Sequence, residues 1–389
     1  MGIEYMDMDH PIHSRKNKHL ETCLDRSADI ESQSSHLSKI HILPTAFPEC
    51  SRASVDTTSS FAGSQISMPL IILPMTGGTH LGRQLNEVLY EAACECSLPI
   101  GLGSMRALLE GSSGRKTFIP KRKKNTTPII ANIGAIELKR HSIKHILHCC
   151  DELGADVLSL HINVAQELVQ KGGDTDFSAI LPKVHLLKQE SPIPLLVKEA
   201  GFGIDPDAVQ RLSEIEVDYI DISGSGGSNW AMIEAKDRGK EISPERVEFF
   251  RHWGCPTGTL LRLMYEFSQP RIGLEKEQPL MQSSLSLGST RLVASGGVRT
   301  VHDMAVCLAS GASYVGMALP LIRLAAESGV SGVIAHLHDL QQGLQDAMLV
   351  SGITKVADMP TCITWCDADL EIEVKSLLAA YGRRKQRHG

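Results

Sequence analysis

Apolar and polar positions alternate along this chain in blocks rather than residue by residue. From about residue 60 onward, eight short apolar runs recur, at 69–73, 98–102, 128–131, 156–160, 194–197, 219–222, 292–294 and 314–316. Each run is predominantly apolar, which is typical of strands that are buried on both faces of a parallel sheet. The pattern therefore predicts eight buried strands.

Helical periodicity fills the gaps between the runs. It is present at 81–96, 136–153, 177–189, 205–214, 257–267 and 301–310, and again near the end at 336–350 and 370–381. Strands that alternate with helices, with small or polar residues at the strand ends, predict an α/β (β/α)8 TIM barrel. A doubly wound open sheet is the alternative, because counting strands does not prove closure.

One interval is too long for a simple crossover. Residues 225–291 separate the sixth and seventh strands, and an insertion of this length is more often functional or an interface than accidental. We predict three regions: an N-terminal extension at 1–60 with a basic segment, a barrel at 61–355, and a C-terminal helical tail at 356–389.

The composition narrows the class of protein. Hydrophobic residues make up 42% of the 389, and 33 are glycine, which suits a globular protein with many tight turns. A formal charge of −6 argues against a nucleic-acid partner bound through overall charge. No apolar run has the length of a membrane span, the first residues resemble no secretory signal, and the ten scattered cysteines suit reduced thiols. We expect no membrane partner and a cytoplasmic location.

Polar side chains follow the fourth strand closely. His161, Asn163, Gln166 and Glu167 come within seven residues at the end of the run 156–160. Strand ends of a barrel supply its active site, so this stretch is a candidate catalytic segment. The alternative interpretation is that these residues only cap the next element.

Glycine-rich turns follow the sixth and seventh strands, at 224–228 and 295–299, and the eighth ends in Gly316-Met-Ala-Leu-Pro320. Glycine lets main-chain N–H groups approach an anion, and the loops after strands seven and eight of barrels often bind a cofactor phosphate. Lys198 ends the fifth strand, where it could neutralise a phosphate or a negatively charged ring. Ordinary strand–helix turns also use glycine, so a single turn is weak evidence.

Taken together, these segments resemble the type 2 isopentenyl-diphosphate isomerases, FMN-dependent barrels, in register from Arg15 to about residue 355. The specific features are the basic leader, the His-x-Asn-x-x-Gln-Glu segment and the Gly-Gly-Ser-x-Trp loop. The matching segments are Arg15-Lys16 with His19, 75–78, Gly103-Ser104 with Arg106, 131–134, 161–167, 197–203, 224–230, 253–257 and 294–297.

The resemblance implies interconversion of isopentenyl and dimethylallyl diphosphate in isoprenoid biosynthesis by a 1,3-proton shift, with FMN reduced by NADPH. It implies a homo-oligomer, a tetramer or octamer. The implied substrate-binding residues are Arg15, Lys16, His19, Ser104, Arg106, Asn163 and Gln166. Gln166 and His161 are the implied catalytic side chains, although the flavin is expected to carry the proton, and Glu167 would hold Mg2+.

The resemblance also implies a cofactor site. The residues expected at FMN are Thr76, Gly77, Gly78, Ser104, Asn132, Lys198, Ser223, Ser228, Gly296, Gly297, Arg299, Ala318 and Leu319. The chain departs from the family pattern at Met105, where glutamine is common, and at Ser225, Ser228 and Leu319. Met105 puts a substrate contact at that position in doubt.

Two other functions compete with this one. Another FMN-dependent barrel oxidoreductase, of the hydroxy-acid oxidase or nucleotide dehydrogenase type, would need a base such as His252 or a nucleophile such as Cys255. A barrel without catalytic activity that acts through partners is the other alternative, and the presence of Lys198, Gln166 and Glu167 argues against it.

Overall fold

The eight apolar runs form one closed barrel of parallel strands. The structure, a computed structural model, describes residues 11–31, 34–112, 114–118, 127–268 and 286–388. The barrel strands are β1 Leu70–Ile72, β2 Ile100–Gly101, β3 Ile129–Gly134, β4 Val157–Ile162, β5 Leu195–Glu199, β6 Tyr219–Asp221, β7 Arg291–Ala294 and β8 Tyr314–Met317. Each strand pairs with the next along the chain, and β8 pairs with β1. The predicted TIM barrel is confirmed, and the open sheet is wrong.

Helices surround this barrel. Those in the described residues are α1 Pro11–Leu24, α2 His80–Glu95, α3 Arg106–Leu109, α4 Ile143–Leu153, α5 Val164–Val169, α6 Ile180–Glu190, α7 Pro206–Glu214, α8 Trp230–Arg238, α9 Pro244–Arg251, α10 Thr257–Ser268, α11 Val301–Ala309, α12 Leu319–Val350 and α13 Ala368–His388. Polar residues at the strand ends start several of them: Ser142, Asp205 and Thr300 accept hydrogen bonds from the first turn of α4, α7 and α11. No helix in the described part of the chain is long and apolar enough to cross a membrane.

Most predicted helices are present, with changed limits. The segment 136–153 is divided, because a 3-10 turn at Ala135–Lys139 precedes α4. The helix predicted at 336–350 begins much earlier, at Leu319, and changes direction at Gly329, whose φ is 60°. The stretch after β4 folds as α5, so part of the candidate catalytic segment is helical.

A β-hairpin closes the bottom of the barrel. Its strands, Ser59–Phe61 and Ser64–Ile66, place the fully buried ring of Phe61 against Tyr219 and Tyr314, with ring centroids 4.7 and 5.3 Å away. The two tyrosines belong to β6 and β8. The hairpin therefore plugs the end of the barrel opposite the strand ends that carry the polar residues.

The long insertion is largely helical. It contains α8, α9 and α10, of which only α10 was predicted, while its segment 269–285 lies outside the described residues. The hydroxyl of Thr257, at the start of α10, donates hydrogen bonds to the carbonyl oxygens of Ser295 and Gly296, at 3.0 and 2.6 Å. The insertion therefore packs against the turn that follows β7.

The first helix of the N-terminal extension lies at the end of the barrel opposite the hairpin, over the carboxyl ends of the strands. Helix α1 packs against α8, α12 and α2. Further along, Ile40–Ile42 pairs antiparallel with Thr364–Cys366 of the C-terminal tail. Helix α1 thus covers the same end of the barrel as the predicted site.

Candidate active site

Two adjoining cavities lie at the carboxyl ends of the barrel strands. The first, of about 330 Å3, is bounded by the turns after β6, β7 and β8. The second, of about 140 Å3, lies between α1 and the ends of β1 to β4. Both are lined by Pro74, Met75, Lys198, Ala200 and Trp230, so the cavities meet above β5. We call them the cofactor cavity and the substrate cavity, after the groups that the sequence predicts for them.

The floor of the cofactor cavity consists largely of main chain. Gly296 and Gly297 have φ of 95° and 79°, in the region that favours glycine. A Cβ atom at Gly296 would collide with the carbonyl oxygen of Gly224, and one at Gly227 with the amide nitrogen of Gly297. Side chains are therefore excluded where the two turns meet, as expected of a wall that receives a phosphate.

Lys198 stands where the two cavities join. Its Cα is paired with His161 on one side and with Asp221 on the other. Nζ donates to the main-chain oxygen of Glu199 at 2.6 Å, while the Glu199 carboxylate accepts from the amides of Phe202 and Gly203. Burial lowers the pKa of Lys198, and the carboxylates of Asp221 and Glu199 oppose this shift.

Asp221 is completely buried beneath this lysine. Its oxygens accept hydrogen bonds from the Ser295 hydroxyl, at 2.7 and 2.9 Å, and one accepts from the Ser223 amide at 3.0 Å. Burial raises the pKa of Asp221, against the influence of Lys198 and these hydrogen bonds. The carboxylate thus links the ends of β6 and β7 below the cofactor cavity.

The substrate cavity contains a cluster of cations. Lys16 of α1 donates hydrogen bonds to the carbonyl oxygens of Gly77 and Ser104, at 3.0 and 2.8 Å. Burial, together with the nearby Arg15 and Arg106, lowers its pKa to about 7. Three cationic side chains around one small cavity are suited to a polyanion such as a diphosphate.

His161 is a neutral imidazole in this cavity. Burial, with Lys198 and Lys16, lowers its pKa to about 3. Its Nδ1 lies 3.1 Å from Asn132 Oδ1, and an amide oxygen only accepts, so Nδ1 carries the proton. The lone pair of Nε2 is then free for a donor, and His161 does not act as a cationic acid at neutral pH.

A chain of polar side chains begins at Gln166 on α5. Gln166 Nε2 donates to Glu234 at 2.8 Å, and Asn163 Nδ2 donates to Gln166 Oε1 at 3.2 Å. The other oxygen of Glu234 lies 3.2 Å from Nε2 of His19 on α1. The buried carboxylate of Glu234 therefore joins the leader to the segment after β4.

The surroundings of Glu167 bear on its predicted role as a ligand for Mg2+. In the described residues, no three His, Cys, Asp or Glu side chains converge to form a metal site. The buried Glu167 accepts from Asn163 Nδ2 at 3.0 Å through Oε1, and from Gln170 Nε2 and the Asp174 amide through Oε2. Mg2+ is often held by one or two carboxylates plus substrate phosphates, and Oε1 retains a lone pair, so the residues fit an ion completed by a diphosphate.

The structure brings most of the predicted residues together. The substrate cavity is lined by Arg15, Lys16, His19, Thr76, Gly77, Ser104, Arg106, Asn132, His161, Asn163, Gln166 and Glu167. The cofactor cavity is lined by Ser223, Ser228, Gly296, Gly297, Arg299, Ala318 and Leu319, and Lys198 borders both. Of the predicted residues, Gly78 lies behind these surfaces, where a Cβ atom would be 2.8 Å from Lys16 Nζ.

The departures from the family pattern have distinct surroundings. Met105 is completely buried in the hydrophobic core, so its side chain is a packing residue rather than a cavity group. Leu319 packs with Cys23, Ile30 and Ile233, which ties the start of α12 to the leader. Both side chains make apolar contacts that the sequence alone did not indicate.

Five charged residues of the site were not predicted. Arg26, Glu31 and Arg323 line the cofactor cavity, Glu137 lines the substrate cavity, and Glu234 is buried behind it. Glu137 lies three residues after Gly134, the end of β3. This position just after a strand could have indicated it as a site residue. The others lie on helices or in the leader, where a charged residue is normally taken for a solvated one.

The residues required by the competing oxidoreductases are elsewhere. The His252 side chain is 51% exposed and ion-paired with Glu248, and it lies outside the described linings of both cavities. Burial raises the pKa of Cys255 to about 12, so its thiol is a poor nucleophile. His252 therefore lacks the position, and Cys255 the ionisation, that those reactions need.

Comparison with known proteins agrees with this arrangement. Residues 279–365 match the family described as FMN-dependent dehydrogenase. Solved structures of mandelate oxidase share the fold: a variant with (S)-mandelic acid has a TM-score of 0.60 at 13% identity, covering 91% of this chain and 97% of that one. Fold and site thus define the class: a (β/α)8 barrel of the FMN-binding type.

The particular family follows from closer relatives. The isopentenyl-diphosphate delta-isomerase of Oceanobacillus iheyensis is 32% identical over 353 residues, covering 90% of this chain and 95% of the relative. The enzyme of the same name from Borreliella afzelii is 32% identical, covering 92% and 93%. The chain belongs to the isopentenyl-diphosphate delta-isomerase family, as the sequence predicted.

Proposed function

We propose that this protein interconverts isopentenyl diphosphate and dimethylallyl diphosphate by a 1,3-proton shift, with reduced FMN and Mg2+. The main observation is the junction of the two cavities at Lys198. One cavity has a main-chain wall suited to a cofactor phosphate, and the other has the cations suited to a diphosphate. A flavin that extends from the first would meet a substrate held in the second.

The chain's own residues would hold the cofactor at the larger cavity. The turn 296–299, Ser223, Ser228 and the start of α12 would contact its phosphate end, and Lys198 would lie beside the ring. Bound reduced FMN supplies the acid and base that the double-bond shift requires, because the substrate has no carbonyl group to acidify a C–H bond. NADPH is the proposed reductant, since the isomerisation itself consumes no electrons.

The residues of the smaller cavity would bind and orient the substrate. Lys16, Arg15 and Arg106 would neutralise the diphosphate, and helix α1 would keep water from the hydrocarbon part. The neutral imidazole of His161 would accept one hydrogen bond at Nε2 without adding charge. Gln166, held between Asn163 and Glu234, would fix the position of the reacting carbons.

Glu167 would hold Mg2+ against the diphosphate. Its carboxylate is oriented by three hydrogen-bond donors, which are the supporting contacts that keep a metal ligand in place. The metal would neutralise charge and position the substrate, and it would take no part in the proton shift.

The experiment is an anaerobic turnover assay on the purified chain. We expect a flavin absorption spectrum, and formation of dimethylallyl diphosphate from isopentenyl diphosphate after reduction with NADPH or dithionite in the presence of Mg2+. Solvent deuterium should enter the product because protons are exchanged. If FMN is bound but the reduced enzyme gives no product, the proposed reaction is wrong.

A cytoplasmic location and a homo-oligomer, a tetramer or octamer, are part of the same proposal. Exposed apolar side chains such as Phe47, 84% exposed, and Ile363, 66% exposed, are the kind of surface that association covers. Light scattering after gel filtration measures the subunit number, and a monomer at working concentration would contradict the proposed assembly.

A further inference from the structure

A carboxylate lies in the wall of the cofactor cavity, where it is not expected. Glu31 lines this cavity, and its two oxygens accept hydrogen bonds from Arg299 Nη2 and from Arg323 Nη1, the latter at 2.8 Å. A carboxylate repels a phosphate, so its presence weakens the attraction of the two guanidinium groups for that phosphate. Burial raises the pKa of Glu31, but Arg299 and Arg323 outweigh this and keep it below the usual value, so the side chain is ionised.

The residue that carries this carboxylate lies where the N-terminal leader is attached to the barrel. Glu31 forms an antiparallel bridge with Ser228, and the amide of Asn229 donates to the carbonyl oxygen of Ile30 at 2.7 Å. Arg323 Nε donates to the carbonyl oxygen of Cys23 at 2.9 Å. The leader is thus attached to the rim of the cofactor cavity directly after α1, the helix that carries the cations of the substrate cavity.

We propose that Glu31 is a positioning residue that connects cofactor binding with substrate binding, because its carboxylate and the cofactor phosphate share Arg299 and Arg323. The inference deepens the proposed function and rests on it for the identity of both ligands. The leader and the phosphate draw on the same pair of cations. The presence of Glu31 therefore costs affinity for the phosphate and holds α1 over the substrate.

This sharing gives Glu31 a signature that a purely structural residue lacks. Glu31→Gln removes one negative charge but keeps an oxygen that can accept from an arginine. Affinity for FMN should rise because the phosphate loses a repulsive neighbour, whereas the hold on the leader should weaken. A residue that only supports the fold would weaken both when it is replaced.

The experiment compares two flavins and two variants of the full-length chain. Dissociation constants for FMN and for riboflavin, which lacks the phosphate, are measured by flavin fluorescence with the apoprotein. The rate of tryptic cleavage after Arg26, with and without FMN, measures how firmly the leader is attached to the barrel. The control is Asp29→Asn, since the exposed Asp29 pairs with the half-buried Arg251 of α9 and lies outside the described linings of both cavities.

For Glu31→Gln we expect the FMN dissociation constant to fall about two- to fivefold, the effect of one partly exposed charge pair, with no change for riboflavin. Cleavage of the leader should become faster, and the KM for isopentenyl diphosphate should rise by about the same factor. Asp29→Asn should leave both flavin constants unchanged.

Other results overturn the inference. Glu31 does not share its arginines with the phosphate if Glu31→Gln binds FMN with unchanged or weaker affinity. The same conclusion follows if the dissociation constant for riboflavin changes together with that for FMN. A wild-type chain without affinity for FMN would overturn both the inference and the proposed cofactor. If Glu31→Gln binds FMN more tightly and riboflavin unchanged, but the chain shows no isomerase turnover, the inference stands and the proposed reaction is refuted.

Discussion

At the residue scale, burial decides how the charged groups of the site behave. Lys16 and His161 are both deep in the substrate cavity, and burial lowers both pKa values, to about 7 and about 3. The result is one cation that can lose its proton near neutral pH and one imidazole that stays neutral. Sequence position alone indicated neither state, because both depend on neighbours that are distant in the chain.

The lowered pKa of Lys16 predicts a pH dependence of substrate capture. In the free enzyme the ammonium is present below about pH 7 and is lost above it. We therefore expect kcat/KM for isopentenyl diphosphate to decrease as the pH rises above about 7, by at most about tenfold per unit. The pH–rate profile of Lys16→Arg is the control, because a guanidinium keeps its charge throughout and the decrease should disappear. Identical profiles for both proteins would assign the titration to another group.

Glu167→Gln separates the metal from the flavin. The substitution removes the negative charge and places an NH2 group near the donors of Asn163 and Gln170. We expect Mg2+-dependent turnover to fall by a factor of about 100 or more while FMN affinity stays within about twofold. Turnover at increasing Mg2+ and flavin titration measure the two effects. Loss of FMN in place of turnover would mean that the carboxylate serves the cofactor.

Apart from Arg15, Lys16 and His19 of α1, which the family resemblance supplied, the predicted site residues stand at or just after strand ends or in glycine turns. Lys198, His161 and Gly296 could be recognised because a barrel places such positions at one face. Glu234 and Arg323 could not, since each is a single charged residue within an apolar stretch of a helix, away from any strand end. Only the packing of α8 and α12 against the leader brings them to the site.

At the element scale, the strands were predictable, and so were the nine-residue helices α7 and α11, whereas α5, α8 and α9 were not. A short, predominantly apolar run has few alternatives to a buried strand, and all eight runs became barrel strands. Helices α5, α8 and α9 have six to nine residues and are stable only through packing. Their existence depends on contacts with each other and with α1.

The hairpin below the barrel predicts a change in stability without a change at the site. Phe61 is completely buried between two tyrosines at the end of the barrel remote from both cavities. We expect Phe61→Ala to lower the free energy of unfolding by about 3–5 kcal/mol, since a buried ring is lost and a cavity remains. Denaturant unfolding followed by circular dichroism measures this. A loss below about 1 kcal/mol would show that the hairpin does not support the barrel.

At the scale of the whole molecule, the two ends of the chain are joined outside the barrel. Lys39 pairs with Asp369 at 2.7 Å, Thr259 of α10 donates to Glu373 at 3.1 Å, and the ring of Tyr381 packs against Phe267. The tail thus contacts both the N-terminal extension and the insertion. The division into three regions at 60 and 355 stays a prediction, and these contacts suggest cooperative unfolding.

Removing the tail tests that cooperation. A chain that ends at Lys355 loses Leu370 and Val374, both buried, together with the strand Thr364–Cys366. We expect its thermal midpoint to fall by several degrees and the leader to become more sensitive to trypsin. Calorimetry and limited proteolysis provide the measurements. An unchanged midpoint would mean that the tail is an independent appendage.

Barrel closure and the meeting of the two cavities are properties of the whole chain. The strand count fitted an open sheet equally well, because closure depends on β8 pairing with β1 across 245 residues, from Leu70 to Val315. The resemblance to a known family supplied what periodicity could not. The contacts of Glu31 that join the leader to the wall of the cofactor cavity could be seen only in the folded structure.

The glycine turns after β6 and β7 also limit how this protein can change over generations. Where they meet, main chain touches main chain, and no substitution at Gly227 or Gly296 would alter the chemistry of the wall without breaking it. Mutation can therefore remove this surface but has almost no way to adjust it. A change in the specificity of this site would therefore have to come from the surrounding side chains, such as those of the leader.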